Sequence, residues 1–214
     1  MKSKKLNAML LASVLAVTGC CVTPATAVFA QEESVQEGYK LFMERDGKYK
    51  VQIPDTYKEM DSQVMADATE TMIEDDMLDD YGYNTDSLEG GSNASAATYL
   101  YPDGGDMSVS INVQISEALA TRPELAVVYF PQLLEEVKKQ YLDMGVPEED
   151  IHLLDTTKHG DNTWAGLTVK FMETDMSQYM YAAEDATYIA TFTGIEDETI
   201  EKFLSTFSTD TGEV

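Results

Sequence analysis

Alternation of apolar and polar side chains after residue 106 constrains the fold of this chain most strongly. The apolar positions are Met107, Val109, Ile111, Val113 and Ile115, and the residues between them are Ser108, Ser110, Asn112 and Gln114. Because successive strand residues point to opposite faces, the pattern predicts a strand with one buried face and one wetter face. The turn-forming sequence 102–105 separates it from a second apolar run at 97–101, which predicts a β-hairpin.

Similar patterns along the chain predict further strands and three helices. The strands are expected at 39–43, 48–53, 151–157, 164–171, 179–183 and 188–193. The helices are expected at 62–80, 123–143 and 197–207, where apolar residues recur every three or four positions. Since most strands are joined as hairpins, we expect an α+β fold, a layered α/β/α sandwich with a mainly antiparallel sheet.

The charge of the chain excludes several classes of partner. Its 214 residues include 39 Asp and Glu against 14 Lys and Arg, a formal net charge of -25. Nucleic-acid binding needs Lys and Arg to displace counterions, so nucleic acid is not an expected partner. The surface of an anionic bilayer is disfavoured for the same reason. We therefore expect contact with a membrane only through a lipid anchor or an uncleaved leader.

Residues 1–30 are typical of an export signal. A basic start, Met1–Lys5, precedes the apolar run 6–17, which is short for a bilayer span. Two processing hypotheses stay open. Residues 17–20 resemble a bacterial lipobox, in which Cys20 would be lipidated, whereas Val28-Phe29-Ala30 resembles an ordinary signal-peptidase site. Either route predicts an extracytoplasmic protein, secreted or lipid-anchored to the outer face of the cell membrane.

The rest of the chain is expected to form one domain. Residues 31–38 are a polar lead-in, 39–208 a single α+β domain and 209–214 a tail. Both cysteines, Cys20 and Cys21, lie in the leader. Cleavage after Ala30 would therefore leave a protein without a disulfide or a thiolate.

Two segments of this domain resemble PsbP-like domains. The sequence Tyr49-Lys50-Val51-Gln52-Ile53-Pro54 is similar to their opening strand, and Tyr188–Thr193 followed by Phe203 and Phe207 is similar to their closing strand and helix. His159-Gly160 lies where the group often has a glycine turn. The similarity extends over 39–208.

One departure is Tyr57, where the group often has tryptophan. The resemblance implies an α/β/α sandwich of the kind found in small exported bacterial proteins and lipoproteins. Most of these have no assigned activity, and several act as binding or assembly modules.

The sequence motifs indicate no enzyme of a common class. There is no G-x-S-x-G nucleophile motif, no P-loop and no G-x-G-x-x-G, and the two histidines, His152 and His159, are not in an H-E-x-x-H zinc motif. We expect no catalytic residue, cofactor or metal ligand. A carboxylate-dependent hydrolase acting on cell-wall or carbohydrate material stays open as an alternative, because so many acids form many pairs.

A calcium-binding acidic module is a second alternative. Carboxylate and amide oxygens are dense between residues 74 and 89, and calcium takes six to eight oxygen ligands. They are Glu74, Asp75, Asp76, Asp79, Asp80, Asn84, Asp86 and Glu89. Their spacing does not match an EF-hand loop, which favours a solvated acidic face.

The favoured function is a non-enzymatic binding or assembly module for an unknown protein or small ligand. Tyr179, Tyr181 and Tyr188 are predicted to share one face of the sheet. Tyrosine combines a large apolar ring with a polar tip, which suits interfaces. These three residues are the candidate binding surface, and packing beneath a helix is the alternative.

Overall fold

The structure is a computed structural model that describes residues 35–60, 97–105, 108–117, 123–171 and 174–212. Within these ranges the chain forms nine strands and two long helices. The strands are β1 (Tyr39–Met43), β2 (Lys50–Pro54), β3 (Tyr57–Glu59), β4 (Ala97–Pro102), β5 (Ser110–Ser116), β6 (Ile151–His159), β7 (Asn162–Phe171), β8 (Thr174–Ala182) and β9 (Thr187–Thr193). The helices are α1 (Pro123–Asp143) and α2 (Asp197–Thr206), and a short 3-10 turn spans Glu148–Asp150.

Seven strands make one sheet in the order β3-β4-β5-β9-β8-β7-β6, and β1 pairs with β2 in a separate hairpin. Every pair in both sheets is antiparallel. The predicted hairpin between 97–101 and 107–115 is confirmed as β4 and β5, with Leu100 opposite Ile111. The α+β class with a mainly antiparallel sheet is therefore confirmed.

One face of the sheet is covered by α2 and the β1–β2 hairpin. The helix directs Ile200, Phe203 and Leu204 into the core, as its 3-4 spacing predicts. They pack against Tyr188, Ala190 and Phe192 of β9 and against Tyr49, Val51 and Ile53 of the hairpin. The hairpin is held beside α2 by the backbone N–H of Gln52, which donates to the Thr206 hydroxyl at 3.1 Å.

The opposite face is covered by α1. Phe130, Leu134, Val137 and Tyr141 form its buried stripe over Leu167 and Val169 of β7 and over Met176, Met180 and Ile189. Pro131 lies inside this continuous helix, so it does not begin a separate one. With a helix on each face, the layers are α/β/α, as expected.

Three local predictions differ from the structure. The strand β3 was not expected, and β8 begins at Thr174 rather than Tyr179. The wetter face predicted for β5 is wrong for Asn112, which is 1% exposed. Both faces of the sheet are covered, so polar positions of the alternating pattern are buried as well.

The C-terminal tail predicted at 209–214 contacts the body of the protein where it is described. Just before the tail Ser208 pairs with Lys50, and within it the Thr211 hydroxyl donates to the Gly47 carbonyl at 2.8 Å. The predicted export signal at 1–30 and the predicted helix at 62–80 lie outside the described residues. The division into a lead-in, one domain at 39–208 and a tail stays a prediction.

Candidate functional site

The three tyrosines of the predicted binding surface share the sheet face that α2 covers. The Tyr188 and Tyr181 ring centroids lie 5.3 Å and 5.9 Å from that of Phe207, which follows α2. Tyr188 is 1% exposed and belongs to the core, while Tyr179 and Tyr181 are half-buried. Burial raises the pKa of each of the three phenols above its usual value.

Tyr188 therefore cannot present its ring to a partner, because Tyr49 and Phe207 cover it. Its hydroxyl donates to the Lys48 carbonyl at 3.1 Å, which ties β9 to the β1–β2 hairpin. The parts of Tyr179 and Tyr181 that reach solvent are the remainder of the predicted surface. Binding there stays a prediction.

His159 joins the β6–β7 turn to α2. Its Nδ1 lies 2.6 Å from Glu201 Oε2, and its ring meets that of Tyr179 edge-on, with centroids 6.1 Å apart. The histidine therefore has an acid partner and an aromatic neighbour. This arrangement links two elements of the fold, and it lies outside the cleft described next.

Four side chains lie side by side across four strands, on the sheet face that α2 covers. The row lies past the N-terminal end of that helix. His152 of β6 lies opposite Thr168 of β7, Thr168 opposite Ser177 of β8, and Ser177 opposite Phe192 of β9. Because directly opposite residues of neighbouring strands are on the same face, the row presents an imidazole and two hydroxyls side by side. The buried ring of Phe192 closes it on the side of β9.

This row is the floor of a cleft of about 580 Å³. Ile195 and the residues that begin α2 form one wall, and the starts of β6 and β8 and the end of β7 form the others. Small-molecule sites in proteins occupy roughly 300–1,000 Å³. The cleft is therefore large enough for a sugar, an amino acid or the side chains of a bound peptide.

The rim of the cleft is mainly acidic. It carries four carboxylates and one ammonium group, those of Asp150, Asp175, Glu196, Asp197 and Lys170. The four carboxylates are opposed by the single Lys170 ammonium group and by the positive end of the α2 dipole, which is worth a fraction of a charge. The rim therefore favours ligands that donate hydrogen bonds or carry positive charge.

The described residues of the cleft do not include a hydrogen-bonded catalytic triad. His152 makes no hydrogen bond or ion pair with any residue in the described ranges. Thr168 lies between it and Ser177, and neighbouring strands are about 4.8 Å apart, so the backbones of His152 and Ser177 are two strand spacings apart in the sheet. The arrangement can bind polar groups, and no direct contact between a base and a hydroxyl is seen among the described residues of the cleft.

The sequence did not identify this cleft. None of His152, Thr168 and Ser177 lies in a local sequence motif. The one usable signal was that these positions are polar on a strand face whose other members, such as Trp164 and Phe192, are large and apolar.

The metal-binding hypotheses concern residues outside the cleft. Among the side chains that the structure describes, no group of three or more His, Cys, Asp or Glu is placed to hold a metal ion. The acidic stretch at 74–89 lies outside the described residues, as does Cys20, and so both the calcium alternative and lipidation stay predictions. Within the described ranges, no helix is long and apolar enough to cross a membrane.

Comparisons with known proteins give similarities of fold only. No family model matches the chain, and no curated protein matches its sequence. A crystal structure of a protein from Bacteroides thetaiotaomicron is 11% identical over 80% of this chain, with a TM-score of 0.42. The match covers 48% of that protein, so this chain spans about half of its length.

The solution structure of cyanobacterial PsbP (CyanoP) from Synechocystis is 10% identical, with a TM-score of 0.45. That match covers 85% of this chain and 98% of the cyanobacterial one. It is a PsbP, the group that the sequence motifs resemble. The fold class itself follows from the sheet and its two covered faces, independently of either likeness.

Proposed function

We propose that this protein is an exported, non-enzymatic binding module that holds a small polar ligand or a peptide in the cleft at the start of α2. The observation that carries the proposal is the cleft itself, a space of about 580 Å³ with His152, Thr168 and Ser177 on its floor. Polar side chains lining an open concave site are the usual means of fixing a ligand's orientation.

The chemistry of the lining selects the class of ligand. Hydroxyls and an imidazole on the floor can both donate and accept hydrogen bonds. Carboxylates on the rim only accept them, and they attract cations. A ligand that combines amine and hydroxyl or amide groups fits this lining, while an anion would face four carboxylates.

The proposal includes export because residues 1–30 are typical of an export signal. The leader has a basic start and a short apolar run, which support delivery across the membrane. The run is followed by Cys20 in a lipobox-like sequence and by the signal-peptidase-like site Val28-Phe29-Ala30. The high net negative charge favours solubility of the exported protein.

Thermal denaturation of the full chain with glucosamine, spermidine or L-lysine amide tests the proposal. A ligand present at about ten times its dissociation constant stabilises the folded state by about 1.4 kcal/mol, so we expect at least one compound to raise the melting temperature at millimolar concentration. Mass spectrometry of the same incubations should find every compound unchanged. Turnover of a compound would contradict the non-enzymatic part.

A matched pair of variants locates the binding. Thr168→Phe fills the floor of the cleft, while Thr156→Phe places the same ring on an exposed position of β6 away from it. The stabilisation should be lost in Thr168→Phe and kept in Thr156→Phe. Equal stabilisation of both variants would overturn the cleft as the binding site, and no stabilisation of the unchanged chain by any compound would overturn the small-ligand part of the proposal.

A further inference from the structure

The strand β6 is an exposed edge of the sheet beside the cleft. It is the last strand in the sheet order, and in the described part of the chain it pairs only with β7. It has nine residues, most of them exposed. An edge strand presents every second pair of backbone N–H and C=O groups to solvent, which makes it a template for another strand.

The part of this edge next to the cleft is regular. Pairing with β7 is unbroken from Ile151, opposite Val169, to Leu154, opposite Gly166. The register then shifts between Leu154 and Thr157. A β-bulge bends a strand and interrupts its edge, so the straight template is confined to Ile151–Leu154.

Side-chain alternation connects this edge to the cleft. Ile151 packs in the core beneath α1, while His152 points to the opposite face and lines the cleft. A strand added beside β6 lies about 4.8 Å away, and its alternate residues point to the cleft face next to His152. Long side chains at those positions can extend toward the acidic rim.

We propose that the Ile151–Leu154 edge binds an extended peptide segment that carries Lys or Arg at alternate positions. The peptide adds a strand to the sheet, and its basic side chains enter the cleft among Asp150, Glu196 and Asp197. This inference rests on the proposed function and names the partner of the same site.

Charge decides between the occupants of this edge. A second copy of the chain would bring the same net charge of -25 and the same carboxylates to the contact, and like charges repel. A basic peptide is attracted by the rim and by the chain as a whole, which also speeds its association at low salt. The basic peptide is therefore the favoured occupant.

Calorimetric titration of the full chain with acetyl-Lys-Val-Lys-Val-Lys-amide tests the inference. The peptide should bind saturably, and a peptide with Glu in place of each Lys should not. N-methylation of alternate residues blocks one edge of the peptide and leaves the other free, so two complementary methylated peptides are compared. One of them should lose about tenfold or more in affinity while the other binds as the parent does, since backbone pairing uses a single edge.

Charge variants of the chain test the contribution of the rim. Glu196→Gln combined with Asp197→Asn should weaken binding of the parent peptide by about threefold or more at low salt. Glu184→Gln with Asp185→Asn removes the same charge from the exposed β8–β9 turn and should change the affinity by less than about twofold. Equal effects of both double variants would contradict a role for the cleft rim.

The outcomes separate this inference from the proposed function. If both methylated peptides bind like the parent, strand addition is wrong, and the proposed function still stands if Thr168→Phe abolishes stabilisation by the small compounds. If no compound stabilises the chain and no peptide binds, both fail. Concentration-dependent dimerisation that the peptide does not reverse would assign the edge to a second copy and overturn the inference.

Discussion

Gly160 lies so close to the backbone of Ser205 that a β-carbon at position 160 would overlap the Ser205 carbonyl oxygen. Gly160 is in the β6–β7 turn with a φ of 60°, and Ser205 is in the last turn of α2. Beside this contact His159 bonds Glu201, so the turn and the helix meet at two adjacent points. The close approach of the β6–β7 turn to α2 therefore requires a residue without a side chain at position 160.

Gly160→Ala should therefore destabilise the fold by about 2 kcal/mol or more, since the left-handed conformation costs an alanine about 1–2 kcal/mol and the backbone overlap adds to it. Urea denaturation measures the change. Gly104→Ala is the matched control, because Gly104 has a φ of 69° but open space around its α-carbon. Its cost should be the conformational cost alone, about 1–2 kcal/mol. Equal costs at both positions would show that the contact with Ser205 is unimportant.

Phe207 lies at the centre of the aromatic core. Its ring stacks on Tyr49 at a centroid distance of 5.1 Å and meets Trp164 and Tyr188 edge-on, each at 5.3 Å. Phe207→Ala should cost about 3–5 kcal/mol, the range for a large buried aromatic residue. Chemical denaturation followed by circular dichroism gives the value. Leu142→Ala on the exposed side of α1 should cost less than about 1 kcal/mol, and a similarly small cost for Phe207→Ala would contradict this packing.

Stability should fall steeply above pH 10. Tyr49 and Tyr188 are 0% and 1% exposed, and burial raises the pKa of both phenols well above the usual value near 10. Above pH 10 the unfolded chain loses these protons while the folded chain keeps them, so the free energy of unfolding decreases by about 1.4 kcal/mol per pH unit for each such phenol.

The urea midpoint measured from pH 9 to pH 11 checks this slope. Tyr49→Phe removes one of these two buried phenols and should make the fall in stability with pH shallower. The stability of each protein at pH 8 is the reference. An unchanged slope in Tyr49→Phe would show that this phenol ionises equally in the folded and unfolded states.

The main elements were predictable because their patterns are local. The alternation along β5 and the 3-4 spacing of Phe130, Leu134 and Val137 in α1 each specify an element within a few residues. The start of β8 was missed because Gln178 occupies a buried position between Met176 and Met180. Its amide is accommodated by donating to the Thr191 hydroxyl at 3.1 Å, a contact that depends on the pairing of β8 with β9.

The cleft could not be predicted in the same way. His152, Thr168 and Ser177 come from three strands, and only the register of β6, β7 and β8 brings them into one row. For the tyrosines, the sequence predicted the shared face and left packing beneath a helix as an alternative, and the structure shows that packing for Tyr188. That covering depends on how α2 and Phe207 pack across the sheet.

Intact mass of the exported protein distinguishes the two processing hypotheses. A chain that begins at Gln31 has no cysteine, and its mass should match the unmodified sequence. A chain that begins at Cys20 should carry the added mass of acyl groups, and Cys20→Ala should then abolish processing at that site. Retention of residues 1–30 in the mature protein would contradict both hypotheses.

The two histidines provide the most direct test of the cleft. His152 lines it, whereas His159 is bonded to Glu201 outside it, and the chain has no other histidine. At constant pH, NMR signals of the two imidazoles are followed while glucosamine, spermidine or L-lysine amide is added to the full chain. We predict a saturable shift of the His152 signal with at least one compound while the His159 signal stays in place; no saturable shift, or equal shifts of both signals, would contradict the cleft as the binding site.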